Sequence, residues 1–272
     1  MLLSNTAIRI IVSVIAIPLI LLASYLGEYF FLTFVSLIGL ISYFEFHLLA
    51  KNKSVQTNLL IGSLFTLLII LNQYFHLLDV FLLILLFLIA TLTAELFRNK
   101  GSAIMNLGAT YLGVFYLGFC SASLVALREF FPRIDNLYSQ GGFLIISILA
   151  AIWICDSAAF FGGTAMGKHK LFTRVSPKKS WEGAIFGFIF AVASMALAKF
   201  LVLGFLSWSE ALIIGFIIGT IGQIGDLIES LLKRDSGIKD SSSLIPGHGG
   251  VFDRFDSLLF SSPAILIFLR YI

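Results

Sequence analysis

The sequence predicts an all-α polytopic membrane protein, a transmembrane helical bundle of about nine spans with a cytoplasmic N-terminus. Of its 272 residues, 59% are hydrophobic and only 12% are charged, whereas soluble domains average about 25% charged residues. The apolar residues form continuous runs near the length of about 20 that a spanning helix needs, unlike the alternating segments of a membrane barrel. The net charge of +3 is too small to indicate a nucleic-acid partner.

Hydropathy along the chain predicts the spans in order. They cover approximately 8–26, 29–50, 57–73, 77–97, 103–127, 141–163, 182–203, 208–232 and 254–272. The first is expected to be a retained helix, because it carries one basic residue, Arg9, and lacks a convincing small-residue cleavage site before the next span. The two cysteines lie inside apolar runs and are expected to be buried free thiols.

The basic residues predict the orientation. With a cytoplasmic N-terminus, 14 of the 18 basic residues fall at cytoplasmic ends and loops, whereas Arg128, Arg133 and Arg270 fall outside and Lys199 lies within a span. This distribution follows the positive-inside rule. It predicts an integral protein of a bacterial-type inner membrane whose polar loops, and any active site built from them, face the cytoplasm.

The polar residues divide the chain into two predicted regions. Residues 1–150 are expected to be scaffold helices, in which Glu45, His47, Asp79 and Glu95 are the ionisable groups in or at the ends of spans. Such groups are costly in lipid and are therefore functional candidates, but most could reach an interface, and their role stays open. Residues 151–272 are expected to form the catalytic region, with loops on the cytoplasmic side.

The first polar segment of this region ends span 6. Asp156 and Gly163 follow helical spacing and share one face. A carboxylate beside a small residue fits either a functional site or a polar contact between closely packed helices.

A basic segment, 168–183, leads into span 7. Arg174, Lys178 and Lys179 lie close in sequence to Ser180, at the predicted start of that helix. Helix N-termini favour anions, so these residues could hold phosphate. A loop that sets the topology or contacts anionic headgroups explains the charges equally well.

The third polar segment is the most informative. Asp226, Glu229 or Ser230, and Lys233 are spaced to line one face of span 8, and Asp253 and Asp256 share a face at the start of span 9. We expect the ends of these two spans to meet and to bring the three aspartates together. A salt-bridge network that caps the two spans is the alternative.

Three buried carboxylates require a positive partner. Oxygen ligands without a His or Cys cluster indicate Mg²⁺. Lysines, arginines and the Gly-His-Gly-Gly turn at 247–250 provide donors for phosphate oxygens, with His248 expected on phosphate and not on metal. The combination indicates phosphoryl-group chemistry, in which catalysis is mostly positioning and charge neutralisation.

The same segment carries a family signature. It reads Ser230-Leu-Leu-Lys-Arg, then four residues, Lys239-Asp240, five residues, Pro246-Gly-His-Gly-Gly, two residues, and Asp253-Arg-Phe-Asp256. This pattern resembles, without departure, the signature of the phosphatidate cytidylyltransferases, or CDP-diacylglycerol synthases. The stretches 156–163 and 176–183 are also similar to that family, whereas the first 150 residues match only as hydrophobic helices.

The resemblance implies a reaction in which CTP and phosphatidic acid give CDP-diacylglycerol and pyrophosphate, with Mg²⁺, in a homodimer. It also implies a second cation, for which K⁺ is a candidate. The catalytic set is then Asp226, Lys233, Asp253 and Asp256, the three aspartates being the metal ligands. The substrate-binding set is Asp156, Arg174, Lys178, Lys179, Ser180, Arg234, Lys239, Asp240, His248, Gly249, Gly250 and Arg254.

Two other functions stay open at this point. A CTP-dependent kinase of a polyprenol-type lipid would need the same metal, phosphates and membrane-facing pocket, but would release CDP. An ion-coupled transporter would also use carboxylates in its spans, although the polar cluster lies at one end of the spans and the two halves show no repeat. A CDP-alcohol phosphotransferase is disfavoured because its Asp-Gly-x-x-Ala-Arg motif is missing.

Overall fold

The computed structural model describes residues 5–242, 244–247 and 249–271, and it confirms the all-α membrane-type class. Its helices are α1 Asn5–Leu26, α2 Glu28–Asn52, α3 Leu59–Phe75, α4 Val80–Leu96, α5 Ala103–Gly113, α6 Cys120–Arg128, α7 Asp135–Met166, α8 Trp181–Leu201, α9 Trp208–Ile217, α10 Gln223–Asp235 and α11 Phe252–Tyr271. Single π-helical turns, Val114–Phe119 and Ile218–Gly222, join α5 to α6 and α9 to α10.

Each predicted span coincides with a helical segment. Within the described residues, six segments are long and apolar enough to cross a membrane: Ala7–Leu26, Glu28–Asn52, Ala103–Arg128, Leu137–Met166, Trp181–Leu201 and Trp208–Asp235. Helices α3 and α4 are apolar but have 17 residues each, about 25 Å of helix against a hydrocarbon core of about 30 Å. The count of nine spans and the cytoplasmic N-terminus therefore stay predictions.

Polar residues at helix starts explain several boundaries. The Asp79 carboxylate accepts from the backbone N–H groups of Phe81 and Leu82 and so caps α4. Ser207 and Glu210 form a capping box at the start of α9. These side chains bind N–H groups that have no partner inside the helix, so Asp79 has a structural role that its sequence position left open.

A small antiparallel hairpin interrupts the helices, where the sequence analysis expected only a basic loop. Its strands are β1 Lys170–Phe172 and β2 Ser176–Ser180. The buried Val175 anchors the turn, and Trp181 N donates to the His169 carbonyl at 2.9 Å where the hairpin joins α8. Successive side chains of a strand point to opposite faces, so Lys178 and Lys179 face opposite ways.

The chain forms two compact units. The first unit contains the described residues through Leu19, with 28–126 and 232–254; the second contains 20–27, 127–231 and the described residues from Phe255 onward. The first unit thus joins helices of the expected scaffold to part of the signature segment. The division of the chain near residue 150 stays a prediction.

Candidate active site

The second unit brings acidic residues together. Asp256 is buried, and the charged groups that act on it are Asp226, Asp156 and Lys179. Among these three groups, Asp226 has the largest electrostatic effect on Asp256. The structure therefore places Asp226 and Asp256 within electrostatic range of each other, as the sequence analysis expected for these two residues.

A glycine explains why α10 and α11 can approach so closely. A Cβ on Gly225 would lie 2.6 Å from the Cβ of Phe260 and 2.9 Å from the carbonyl oxygen of Asp256. Both distances are too short for a real side chain, so residue 225 must be glycine if the helices keep this separation. The contact sets Asp226, the next residue, against the first turns of α11.

Helix α7 packs closely against α8 beside the same cluster. A Cβ on Gly183 would lie 2.6 Å from the Ala159 carbonyl oxygen, and one on Gly187 would lie 3.0 Å from that of Cys155. Small residues let helix backbones approach within a membrane. The cluster borders a narrow crevice lined by Ile152, Cys155, Asp156, Ile218, Gly222, Gln223 and Ser257.

One lysine of the hairpin is directed into the cluster. Lys179 Nζ forms an ion pair and hydrogen bond with Asp226 Oδ2, while Ser230 Oγ lies 3.5 Å from Asp226 Oδ1. The side chains of Lys179 and Asp226 keep 30% and 33% of their surface exposed. This pair is therefore open to an incoming ligand.

The other predicted residues around the hairpin differ in exposure. Arg174 and Lys178 are exposed. Ser180 is buried, and its oxygen accepts from Gly183 N at 3.2 Å as the cap of α8. The basic side chains can bind an anion from solution, whereas the substrate-binding role of Ser180 stays a prediction beside its structural one.

The first unit contains a second, more enclosed Lys–Asp pair. Lys233 Nζ donates to Asp253 Oδ1 at 2.7 Å, and the two side chains are 11% and 3% exposed. Asp253 Oδ2 accepts from Gly250 N at 2.8 Å and from Ser241 N at 3.0 Å. Asp253 thus organises the backbone of the loop that precedes it.

That loop is named here the signature loop, residues 236–251, of which Ser243 and His248 lie outside the described residues. The nucleotide-binding role expected for His248 therefore stays a prediction. Gly249 has φ +84°, a left-handed conformation that favours glycine. A Cβ on Gly250 would collide with Ser241 Oγ and with the Glu45 carboxylate, so both glycines are required by the fold of the loop.

The remaining predicted residues of this segment are exposed. Arg234, Lys239, Asp240 and Arg254 all face solvent or lipid, and Arg234 Nη1 donates to the Ile238 carbonyl at 2.9 Å. The exposure of the three basic side chains fits phosphate binding, and the substrate-binding role of all four residues stays a prediction.

Two residues contact the signature loop without having been assigned to the site from the sequence, where Glu45 was a functional candidate of open role. Glu45 of α2 accepts from three donors of this loop, including Ser242 Oγ at 2.6 Å, and from the N–H of Phe252 at the start of α11. Arg9 of α1, which the sequence analysis used only for topology, donates to the Gly247 carbonyl at 2.6 Å. Neither contact has a local signal, because the partners are roughly 200 or more positions apart.

The second-unit cluster fits a hard divalent cation. Asp256 and its charged neighbours comprise three carboxylates and one lysine. The carboxylates provide oxygen ligands, the kind that Mg²⁺ takes. Among the described residues, no group of three His, Cys, Asp or Glu residues forms a ready metal cage. Mg²⁺ therefore stays a prediction for this site. Because Asp253 belongs to the first unit, the predicted three-aspartate ligand set stays a prediction.

Comparison with known proteins decides the family. The model of the cytidylyltransferase family matches residues 7–272. The chain belongs to this family. It is 34% identical over 266 residues to the phosphatidate cytidylyltransferase of Brucella suis biovar 1 (strain 1330), with 97% of this chain and 93% of the relative covered. It is 30% identical over 271 residues to that of Bacillus subtilis (strain 168), with 96% of each chain covered.

A third relative extends the same result. The phosphatidate cytidylyltransferase of Synechocystis sp. (strain ATCC 27184 / PCC 6803 / Kazusa) is 30% identical over 287 residues, with 96% of this chain and 95% of the relative covered. The family inferred from the signature is confirmed, and with it the enzyme class of a nucleotidyltransferase on membrane-type helices. The similarity includes the N-terminal helices, which the sequence analysis could match only by hydrophobicity.

Proposed function

We propose that this enzyme transfers CMP from CTP to the phosphate of phosphatidic acid, giving CDP-diacylglycerol and pyrophosphate at the cytoplasmic face of the membrane. The observation that carries the proposal is the end-to-end match to phosphatidate cytidylyltransferases, which covers at least 93% of the three relatives above. Because the match spans both units, it includes all the described parts of the candidate site.

The chemistry needs no activated side-chain nucleophile. A phosphate oxygen of phosphatidic acid, already ionised at neutral pH, attacks the α-phosphorus of CTP. The bond from that phosphorus to the bridging oxygen breaks, and the bonding pair leaves with pyrophosphate. No proton has to be removed before the attack, so the protein must mainly bring two anionic phosphates together in line.

The residues of the chain then have electrostatic and positioning roles. Lys179 can release Asp226 and donate to a phosphate oxygen, because both side chains are partly exposed. Arg174 and Lys178 on the hairpin attract an anionic substrate. Backbone N–H groups of a glycine-rich turn can bind phosphate, the role we assign to the signature loop.

Asp226 and Asp256 would hold Mg²⁺, with Asp156 beside them. When bound, the ion neutralises charge on the triphosphate and on the leaving pyrophosphate. A second cation such as K⁺ and a homodimer are further parts of the proposal, and both rest on the resemblance to the family.

The test is an assay with CTP labelled on the cytosine base, phosphatidic acid and purified protein, with and without Mg²⁺. We expect Mg²⁺-dependent label in the lipid fraction and one pyrophosphate for each labelled lipid. Diacylglycerol in place of phosphatidic acid should give no product, since it lacks the attacking phosphate.

The alternatives give different results in the same experiment. A CTP-dependent lipid kinase would leave the label in free CDP and give a phosphorylated alcohol. A transporter would move ions across liposomes without turning over CTP. Either outcome would overturn the proposed reaction.

A further inference from the structure

The buried carboxylate of Glu45 lies in the C-terminal half of α2, a helix of the expected scaffold. The residue is 0% exposed, and a buried charge is tolerated only when it is fully hydrogen-bonded or paired. Its partners therefore indicate why an acid occurs at this point of an apolar helix.

Four donors bind this one carboxylate. Oε1 accepts from Val251 N at 2.9 Å and Ser242 Oγ at 2.6 Å. Oε2 accepts from Phe252 N at 2.7 Å and Ser241 Oγ at 3.0 Å. The serines stand in the first half of the signature loop, and Val251 and Phe252 form its junction with α11.

Glu45 thus joins two parts of the signature loop that are about ten residues apart in sequence. It also supplies a negative charge at the N-terminus of α11, where the helix dipole and unpaired N–H groups favour an anion. Gly250 leaves space for this contact, because a Cβ there would lie 2.6 Å from either Glu45 oxygen.

Ser241 extends the contact to Asp253. Its hydroxyl lies 3.0 Å from Glu45 Oε2 and 3.1 Å from Asp253 Oδ2, and its backbone N–H also donates to Asp253 Oδ2. Asp253 in turn accepts from Lys233. A shift of Glu45 would therefore move Ser241 and, through it, the predicted catalytic pair.

We propose that Glu45 is the positioning residue of the signature loop, fixing the loop backbone and the Lys233–Asp253 pair in the geometry that receives the phosphates of CTP. The part that concerns CTP rests on the proposed function. In this proposal Glu45 acts on the substrate through the loop.

The first test is Glu45→Gln in the full-length protein. The amide keeps the size of the side chain, but its NH₂ group can only donate and would face groups that also donate. At least one buried N–H or hydroxyl would then have no acceptor. We expect hydrogen exchange in peptides covering 249–252 to rise about tenfold, as local opening becomes easier. The KM for CTP should rise about tenfold while kcat falls less than about threefold, the pattern of weakened substrate binding.

Glu95→Gln is the matched control. Glu95 is also a buried acid on a helix of the first unit, but it binds Asn106 Nδ2 at 2.7 Å and Arg98, outside the signature loop. We expect wild-type exchange at 249–252 and a wild-type KM for CTP in this variant. A merely structural role for Glu45 would lower the amount of active enzyme in both variants and leave both KM values unchanged.

Ser242→Ala provides a milder test should Glu45→Gln not fold. It removes one of the four donors and keeps the carboxylate. We expect the KM for CTP to rise about threefold, with faster exchange confined to the loop. Wild-type exchange at 249–252 together with an unchanged KM in the folded variant would overturn the inference.

The exchange measurement separates this inference from the proposed function. If the wild-type protein does not turn over CTP, the proposed reaction fails, yet exchange in Glu45→Gln still shows whether Glu45 holds the loop. If the wild-type protein is active and the variant matches it in exchange and in KM, the inference alone fails.

Discussion

The two Lys–Asp pairs have the same chemistry in different surroundings. In the second unit, Lys179 and Asp226 are each about one-third exposed, and the Ser230 hydroxyl lies 3.5 Å from Asp226 Oδ1. In the first unit, Lys233 and Asp253 are nearly enclosed, and both Asp253 oxygens accept short hydrogen bonds. The open pair can exchange its lysine for a substrate or cation, whereas the enclosed pair would have to give up several bonds.

This difference in exposure predicts that the open pair serves catalysis and that the enclosed pair stabilises the fold. Exposed ion pairs contribute little to stability, but removing one partner of a buried pair is strongly destabilising because it leaves an uncompensated charge. We therefore expect substitutions in the open pair to change catalysis, and those in the enclosed pair to change folding as well.

The largest effect is expected for Asp226→Asn. Loss of this carboxylate removes a proposed Mg²⁺ ligand, and kcat should fall about a thousandfold, or about 4 kcal/mol in the barrier. Thermal unfolding should stay close to wild type. The matched control is Asp235→Asn on the same helix, an exposed acid paired with Lys53, which should keep full activity. Near-wild-type turnover of Asp226→Asn would remove this residue from the metal site.

Asp253→Asn should act mainly on stability. It breaks the enclosed pair and weakens the contacts with Ser241 and Gly250, so the free energy of unfolding should fall by about 3 kcal/mol. Thermal denaturation in detergent measures the loss. Lys233→Met should lower the free energy of unfolding less when added to Asp253→Asn than when made alone, because the lysine has already lost its partner. A variant with wild-type stability but no activity would instead support Asp253 as a metal ligand.

Lys179→Met should produce a smaller, catalytic effect. The open pair loses its cation, and the KM for CTP should rise about tenfold, or about 1.4 kcal/mol. The wild-type KM should rise with salt more steeply than that of the variant, because a charge contact with phosphate is screened. Lys179→Arg should restore most of the affinity. An unchanged KM in Lys179→Met would show that the lysine serves only to neutralise Asp226.

Lys178→Ala should give the smallest change. This side chain is exposed beside Lys179 on the strand, so its loss should weaken the binding of a phosphate substrate about two- to threefold. Binding of an unrelated anionic lipid to the protein serves as the control. An equal loss for that lipid would mean that Lys178 provides only general surface charge.

The helices could be predicted well because each is encoded locally. Predicted and observed bounds differ by a few residues. For example, the predicted span 29–50 is observed as Glu28–Asn52, and the predicted span 208–232 as Trp208–Asp235. Continuous apolar runs carry that signal. The hairpin at 170–180 has no such signal, since its short strands hold mostly polar residues.

The candidate site was predictable only in part. Asp226 and Asp256 could be paired because helical spacing and the signature placed both near helix ends. Glu45 could not be assigned, because its partners lie 196 to 207 positions away and nothing local distinguishes it from an acid that reaches the membrane surface. Ser180 shows the opposite case, in which a plausible phosphate ligand is also the cap of α8.

The π-helical turn at Ile218–Gly222 determines the direction in which Asp226 points. A π-turn inserts one residue into an α-helix, and each residue of an α-helix advances by about 100°. Deleting a single residue from this turn would rotate every side chain from Gln223 onward by roughly that angle relative to α9. Asp226 would then leave Lys179 and Asp256 without any change in its own chemistry. One extra residue in the π-turn therefore sets the direction in which the side chains of α10 point.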